Sequence, residues 1–187
     1  MINQVILAAW IGVFVIWWIA GRLSKQTIQI RSPGRAHLAN WIVGLGWWLL
    51  LSHGAEQPVL SWRWRPESAA LDVAGLAIAL SALAFCLWAR FYLGRNWSAV
   101  ITVTKDHELI RTGPYAVVRH PIYAGFMLAT LGTAIAFGEV SGLLAVLLVV
   151  TAWGYKARLE EATMLEQFGP EYERYRRDVK GLLPFVY

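Results

Sequence analysis

The chain has 187 residues, of which 57% are hydrophobic and only 16% are charged, and its formal net charge is +5. This composition is too apolar for an ordinary soluble domain of the same size. The basic residues are scattered beside apolar runs, so the excess positive charge indicates membrane topology and argues against a nucleic-acid partner. The eleven tryptophans are spread over at least five segments, many of them near the ends of apolar runs, which is typical of membrane-interface anchors.

Five apolar segments predict membrane-spanning helices, because a helix needs roughly 20 apolar residues to cross a bilayer. The second segment is short, so it either lies with little tilt or extends to include His37 and His53. The polar break at Gly138-Glu139 makes the last two segments a helical hairpin. The expected fold class is therefore an all-α integral membrane protein with about five transmembrane helices, at residues 2–21, 38–52, 69–88, 121–137 and 140–153.

The loops between these segments predict an orientation. Fifteen of the 17 lysines and arginines fall on one side of the five-span arrangement. Positive residues are enriched in cytoplasmic loops, so we expect the amino terminus outside and the carboxyl terminus, with the chemically rich loops, in the cytoplasm.

The chain divides near Leu93 into an apolar three-span scaffold, residues 1–92, and a half that we expect to be catalytic, residues 93–187. The β-branched run Val100 to Thr104 predicts either a small hairpin or an ordered cytoplasmic loop over the spans. After the fifth span the helix is expected to continue, to stop at Gly169-Pro170, and to be followed by a short second helix. These C-terminal helices are predicted to be amphipathic.

Polar residues cluster where the fourth span begins and where the fifth ends. Glu160 and Glu161 leave the membrane close to the depth of Arg119 and His120. The acid pair either holds a cationic ligand or forms a solvated helix exit with Lys156 paired to Glu160, and spacing alone favours the exit. A second pattern nearby is a small-residue stripe that predicts close helix packing, formed by Gly125, Ala129, Gly132 and Ala136.

Metal chemistry is not predicted from the histidines. The sequence contains no HExxH motif, and His37 and His53 fall in different loops with no companion ligands. A paired general acid and base is also not visible.

Several short motifs carry a resemblance to a known family. The stretch GPYAVVRHPIYAG, a helical hairpin, the pair EE and the stretch FGPEYERYRRDVKGLLPF follow one another between Asp106 and Phe185. In this order and spacing they resemble the isoprenylcysteine carboxyl methyltransferase family, which is grouped with membrane-embedded methyltransferases that include phospholipid N-methyltransferases. The resemblance covers a little under half of the chain, and the first three spans share only hydrophobicity and number.

The resemblance implies S-adenosylmethionine as the cofactor and assigns residues to it. Glu160 matches the glutamate that binds the cofactor after the last span, with Glu161 beside it. The remaining cofactor contacts implied by the resemblance precede and open the fourth span: His107, Glu108, Leu109, Ile110, Tyr115, His120, Pro121, Ile122 and Tyr123.

Lys156 and Arg119 are the residues expected to be catalytic, with Lys156 as the substrate contact. Lys156 stands where eukaryotic prenylcysteine enzymes have an arginine that touches the substrate. An ammonium cannot hold a carboxylate with the two-pronged geometry of a guanidinium, so this departure leaves the acceptor open. Arg158 is expected to point elsewhere on the helix.

The predicted function is methyl transfer from S-adenosylmethionine to a lipophilic small molecule or lipid, by resemblance an isoprenylcysteine-type carboxylate. The acceptor would enter from the bilayer while the cofactor enters from the cytoplasm, and transfer would depend on alignment and desolvation. Two alternatives remain: a phospholipid N- or small-thiol S-methyltransferase, and a non-enzymatic membrane carrier or assembly factor.

Overall fold

The computed structural model of the protein describes residues 1–22, 29–30, 33–52, 59–94, 97, 102–103 and 109–182. A two-residue antiparallel pair, β1 (Gln29–Ile30) with β2 (Thr102–Val103), accompanies the helices. The predicted all-α integral membrane fold is confirmed. The described residues form six α-helices: α1 (Ile2–Gly21), α2 (Pro33–Leu51), α3 (Ala69–Leu93), α4 (Pro121–Phe137), α5 (Val140–Phe168) and α6 (Pro170–Asp178).

Each of the five apolar segments corresponds to a helix, and only Ser52 of the second segment lies beyond its helix end. By length and composition α1, α3 and α5 are able to cross a membrane, and α4 is apolar but has 17 residues. The count of five spans therefore stays a prediction. The second helix extends to include His37, whereas His53 falls outside the described residues.

The ends of the last helices follow the local sequence. Pro121 opens α4, where its missing N–H group would have no partner in the helix anyway. The helix ends at Gly138 with φ +70°, a left-handed conformation that favours glycine. α5 runs without a break for 29 residues, well past its apolar part, and α6 starts at Pro170. As predicted, α6 is amphipathic, because Tyr172 and Tyr175 are buried between charged, exposed neighbours.

The helices of the two halves interleave. α3 packs most extensively on α4, α2 packs on α5, and α1 lies against α3. A Cβ atom added at Gly132 would lie 2.6 Å from the backbone nitrogen of Ala79, and one at Gly125 would lie 2.5 Å from the Cys86 sulfur. The small-residue stripe therefore allows close approach of α3 and α4, as its spacing predicts.

An arginine closes the far end of α4, away from the polar cluster. Arg65 is 6% exposed and donates to the carbonyls of Ile135 at 2.8 Å, of Ala136 at 2.9 Å and of Pro66 at 2.9 Å. It also forms an ion pair with Asp72 in the first turn of α3. Since the last carbonyls of a helix have no partner within it, the guanidinium caps α4 and ties it to α3.

Two long-range contacts could not be foreseen from local patterns. Thr102–Val103 pairs with Gln29–Ile30, from another loop, and the rest of the run in which a hairpin or an ordered loop was expected lies outside the described residues. Trp10, in the middle of an apolar run, is fully buried and donates to the Thr133 hydroxyl at 3.0 Å. Burial of such a large ring, with its N–H group paired, stabilises the interior.

Candidate functional site

The start of α4 is held by the segment that follows α6. The backbone N–H of Arg119 donates to the carbonyl of Lys180 at 2.8 Å, and that of His120 donates to the carbonyl of Gly181 at 3.0 Å. The Arg119 guanidinium adds hydrogen bonds to the carbonyls of Val179 and of Arg176, the latter at 3.2 Å. We call these contacts the C-terminal clasp. They hold the backbone at His120 and so fix the direction of its side chain.

Glu161 forms ion pairs with two arginines of the site. Arg119 contacts its Oε1 atom through Nε at 3.0 Å and through a second guanidinium nitrogen, while Nε of Arg176 lies 3.5 Å from Oε2. The Arg119 and Glu161 side chains are 9% and 16% exposed. Hydrogen bonds between charged groups in such a sheltered position are stronger than exposed pairs, so Glu161 positions Arg119 and through it the clasp.

Glu160 faces the histidine and tyrosine of the α4 start instead. The Tyr123 hydroxyl donates a hydrogen bond to its Oε1 atom, and Nδ1 of His120 lies 3.6 Å from its Oε2 atom. The other ring nitrogen of His120 lies 3.3 Å from Oε1 of Glu161. The acid pair is therefore not the solvated helix exit that spacing alone favours, because both carboxylates turn towards α4.

His120 lies at the mouth of this cluster, just before α4. Burial of the ring lowers its pKa, but its contacts with Glu160 and Glu161 outweigh burial, so the pKa of His120 is raised above its usual value. Tyr115, also before α4, has its pKa raised by burial and then by the negative charge of Glu160. The buried Tyr115 phenol is therefore neutral, and it is affected by the charge of the Glu160 carboxylate.

A column of rings connects the cluster to the interior. The rings of His120 and Tyr123 stack with centroids 5.7 Å apart, and those of Tyr123 and Trp153 stack at 5.2 Å. Stacked rings in this geometry contribute beyond their burial and hold one another in place. The column leads from the acid pair to a pocket between the helices.

The pocket has a volume of about 240 Å³ and is walled mainly by aromatic side chains. Its polar lining comes from Lys156 and Asn40, and Nζ of Lys156 donates to Oδ1 of Asn40 at 3.0 Å. Lys156 is 4% exposed and lies 5.5 Å from the centre of the Tyr123 ring. The other lining residues are Phe14, Trp17, Val43, Trp47, Trp97, Ile122, Tyr123, Phe126 and Trp153.

The other residues assigned by resemblance lie in different surroundings. Pro121 and Ile122 are buried in the first turn of α4, where Ile122 lines the pocket, whereas Leu109 and Ile110 are half-buried. His107 and Glu108 fall outside the described residues. Arg158 is exposed, as expected, and does not line the pocket that contains Lys156.

Sequence reasoning missed Asn40, Trp153 and Arg176. Asn40 lies 116 positions from its partner Lys156, and no local sequence pattern predicts that α2 packs on α5. The available signal was an isolated amide in the apolar run of a predicted span, where a polar side chain needs a partner. Arg176 stood in a basic run of α6, with nothing to distinguish it from its neighbours.

Comparison with known proteins identifies a family that this chain resembles. Residues 74–166 match the sequence model of the isoprenylcysteine carboxyl methyltransferase family. A protein-S-isoprenylcysteine O-methyltransferase of Schizosaccharomyces pombe is 38% identical over 96 residues, or 50% of this chain and 41% of the relative. The enzyme of the same name from Rattus norvegicus is 30% identical over 121 residues, or 62% of this chain and 42% of the relative.

The chain thus spans about two fifths of the curated relatives that it matches. A solved structure of the eukaryotic intramembrane Ras methyltransferase, isoprenylcysteine carboxyl methyltransferase, superposes with a TM-score of 0.54 at 23% identity. That match covers 84% of this chain and 55% of the other, and it concerns the fold alone. The resemblance seen in the sequence is confirmed: residues 74–166, just under half of the chain, match the isoprenylcysteine carboxyl methyltransferase family, which implies a methyl donor.

Proposed function

We propose that the protein is a membrane-embedded methyltransferase that moves a methyl group from S-adenosylmethionine to a lipophilic acceptor bearing an isoprenylcysteine-type carboxylate. One observation carries the proposal: Glu160 faces His120 and Tyr123 at one end of a ring column whose other end opens on a pocket containing Lys156. The match to the family model supports the reaction class. The names of the longer relatives support the acceptor class.

The residues fit a cofactor that carries positive charge. Glu161 already takes ion pairs from Arg119 and Arg176, whereas Glu160 contacts a neutral phenol and an imidazole. Glu160 is therefore the carboxylate that we assign to the cofactor's cationic groups. The faces of Tyr123 and Trp153 next to it attract positive charge as well.

We assign Lys156 and the aromatic rings around it to the part of the site where the methyl group is transferred. When bound, the cofactor would supply a methyl group on a positively charged sulfur. A carboxylate oxygen of the acceptor would bond to the methyl carbon as the carbon–sulfur bond breaks, which leaves a neutral thioether. No general base is required of the protein, because a carboxylate is ionised at neutral pH. The aromatic walls exclude water, and Lys156 orients the acceptor's negative charge, so the chain contributes alignment and desolvation. A protonated phospholipid amine would be repelled by Lys156.

We assign cofactor binding to residues 93–187, and we assign the outer walls of the acceptor pocket to α1 and α2 of the first half. The orientation follows from the distribution of basic residues, with the amino terminus outside and the acid pair facing the cytoplasm. A reporter fused after Tyr187 should be active in the cytoplasm. Activity of that reporter on the outer side would overturn the assigned orientation.

The cofactor assignment is tested with Glu160→Gln. Glutamine keeps the shape and a hydrogen-bond partner for Tyr123 but removes the negative charge, so S-adenosylmethionine should bind at least about tenfold more weakly, a loss of about 1.4 kcal/mol. Affinity is measured by titration calorimetry on detergent-purified protein. Glu67→Gln, an exposed position, is the matched control and should retain wild-type affinity. Equal affinities for the two variants would contradict the assignment.

A further inference from the structure

Aromatic side chains close the end of the pocket that lies away from the acid pair. Trp47 comes seven residues after Asn40 in α2, so it lies about 10 Å further along that helix than the end of the pocket that holds Lys156. The centre of the Trp47 ring lies 5.1 Å from that of Phe14 in α1 and 5.2 Å from that of Phe126 in α4. We call Phe14, Trp47 and Phe126 the aromatic floor.

A fourth ring packs on the aromatic floor from behind. Trp10 is fully buried, and the centre of its ring lies 5.4 Å from that of Trp47. It also lies 5.9 Å from the centre of the Phe126 ring, with which it stacks. An apolar chain that reaches the floor therefore meets a second aromatic layer, and the floor bounds the depth of the pocket.

Two buried threonines of α4 hold the tryptophans of these layers in place. The indole N–H of Trp47 donates to the hydroxyl of Thr130 at 3.2 Å, and that of Trp10 donates to the hydroxyl of Thr133. Thr130 donates its own proton to the carbonyl of Phe126 at 2.8 Å, so its oxygen is free to accept from Trp47. An indole N–H can only donate. Turning the Trp47 ring away from Thr130 would leave a donor unpaired among apolar side chains, which is unfavourable.

The volume in front of the aromatic floor limits what the pocket can enclose. It is about 240 Å³, compared with the roughly 150 Å³ of a cavity that encloses benzene. At the same volume per carbon atom the pocket holds about ten carbon atoms, which is the size of two isoprene units. The longer tail of a farnesyl group exceeds this volume even before the head of the acceptor is counted.

We propose, on the basis of the function proposed above, that the aromatic floor sets the length of the tail that the pocket accepts. Trp47 is the specificity-determining residue, and Thr130 is the residue that positions it. A tail of two isoprene units fills the space up to the floor. Each further unit must stay outside the pocket or displace Trp47, so it gains no binding free energy from the pocket. The favoured acceptor therefore carries a geranyl-sized tail.

The test compares two probes that differ in tail length alone, N-acetyl-S-geranylcysteine and N-acetyl-S-farnesylcysteine. Retention of the tritium-labelled probes by immobilised, detergent-purified protein measures binding without turnover. The wild type should bind the farnesyl probe no more tightly than the geranyl probe. Because the two tails partition differently into detergent, the farnesyl-to-geranyl affinity ratio of each variant is compared with that of the wild type, and the detergent contribution cancels.

Trp47→Leu is the first variant, because leucine is apolar but much smaller and opens the aromatic floor. The affinity ratio should rise at least about tenfold in favour of the farnesyl probe, since even one methylene group accommodated in an apolar pocket has an effect of this size. Trp48→Leu is the matched control. It makes the same change at the next residue of α2, which is 56% exposed, and should keep the wild-type ratio.

Thr130→Val tests the positioning role without changing the floor itself. Valine has a similar shape but offers no acceptor to the Trp47 indole, so the affinity ratio should rise severalfold. Thr130→Ser retains the hydroxyl and should keep the wild-type ratio. Thr151→Val is the matched control, because it removes a threonine hydrogen bond to the carbonyl four residues earlier, 2.7 Å from Leu147, at an exposed position of α5. A purely structural role of Thr130 would weaken both probes equally and leave the ratio unchanged.

The outcomes separate this inference from the function on which it rests. An unchanged ratio in Trp47→Leu would overturn the role of the aromatic floor, and an unchanged ratio in Thr130→Val would overturn the role of Thr130. A wild type that binds neither probe, or binds the farnesyl probe more tightly, would overturn the limit on tail length. A wild type that fails to bind S-adenosylmethionine would instead overturn the proposed function. A ratio that depends on Trp47 would still establish the limit in that case, because the probes are measured without the cofactor.

Discussion

The hydroxyl group of Tyr175 in α6 donates a 2.6 Å hydrogen bond to the backbone carbonyl of Tyr115, which lies in the turn before α4. Both residues are buried. The bond links α6 to the same turn that leads into Arg119 and His120, so it supports the C-terminal clasp from a second direction. Burial raises the pKa of the Tyr175 phenol and keeps it a donor at neutral pH.

Tyr175→Phe should therefore destabilise this side of the protein. The substitution leaves the buried carbonyl of Tyr115 without its donor, at a cost of about 1–3 kcal/mol. Thermal unfolding in detergent measures the change. Tyr92→Phe is the matched control, because it removes a 2.6 Å hydrogen bond to Thr112 in an exposed setting, and it should cost no more than about 0.5 kcal/mol. Comparable losses for the two variants would show that the Tyr175 bond has no special role.

The contacts of His120 predict a dependence of stability on pH. Its protonated form is stabilised by Glu160 and Glu161, with Arg119 and Tyr123 as the other polar neighbours, and its pKa is raised in the folded protein. The resulting stability is fully present below the usual histidine pKa of about 6.5 and is lost as the pH rises through the raised value.

We expect the melting temperature of the wild type to fall relative to that of His120→Gln as the pH increases from about 6 to about 9. His37→Gln, at another histidine, is the control and should follow the wild-type curve. Parallel curves for the wild type and His120→Gln would mean that the pKa of His120 is not raised in the folded protein.

The close crossing of α3 and α4 predicts the effect of one added methyl group. In Gly132→Ala the new Cβ would lie 2.6 Å from the Ala79 nitrogen and 2.8 Å from the Gly75 carbonyl oxygen, so the backbones must separate. Overpacking of this kind costs about 1–3 kcal/mol. The same substitution at Gly44, where no atom lies within 4 Å, should be neutral or stabilise the helix by up to about 1 kcal/mol. Unfolding in detergent compares them, and equal stabilities would mean that α3 and α4 are less tightly packed.

The helices could be predicted because each depends on a continuous apolar run, and a run of that kind must satisfy its backbone groups internally in a bilayer. α4, predicted at residues 121–137, has those bounds in the structure because Pro121 and Gly138 mark its ends in the sequence itself. α2 and α3 are longer than predicted from their apolar segments. Helices can continue into polar flanks because their backbone hydrogen bonds remain satisfied there.

The long-range contacts could not be predicted from the sequence. The contact of Glu160 with Tyr123 was expected in outline from the resemblance, whereas the division of roles between Glu160 and Glu161 depends on where Arg119 and Arg176 reach. The capping of α4 by Arg65 and the contact of Asn40 with Lys156 join segments far apart in the chain. Such pairs follow from how helices pack, which local periodicity does not determine.

The C-terminal clasp also sets the order in which the protein can be completed during synthesis. Arg119 and the carbonyl of Val179 that it contacts are 60 residues apart. At roughly 5–20 residues per second, the ribosome needs about 3–12 s to make the intervening chain. For that time the entrance of α4 lacks the carbonyls of residues 179–181 that hold it. Glu161, the ionic partner of Arg119, follows it by only 42 residues, so the charge can be paired before the clasp is complete.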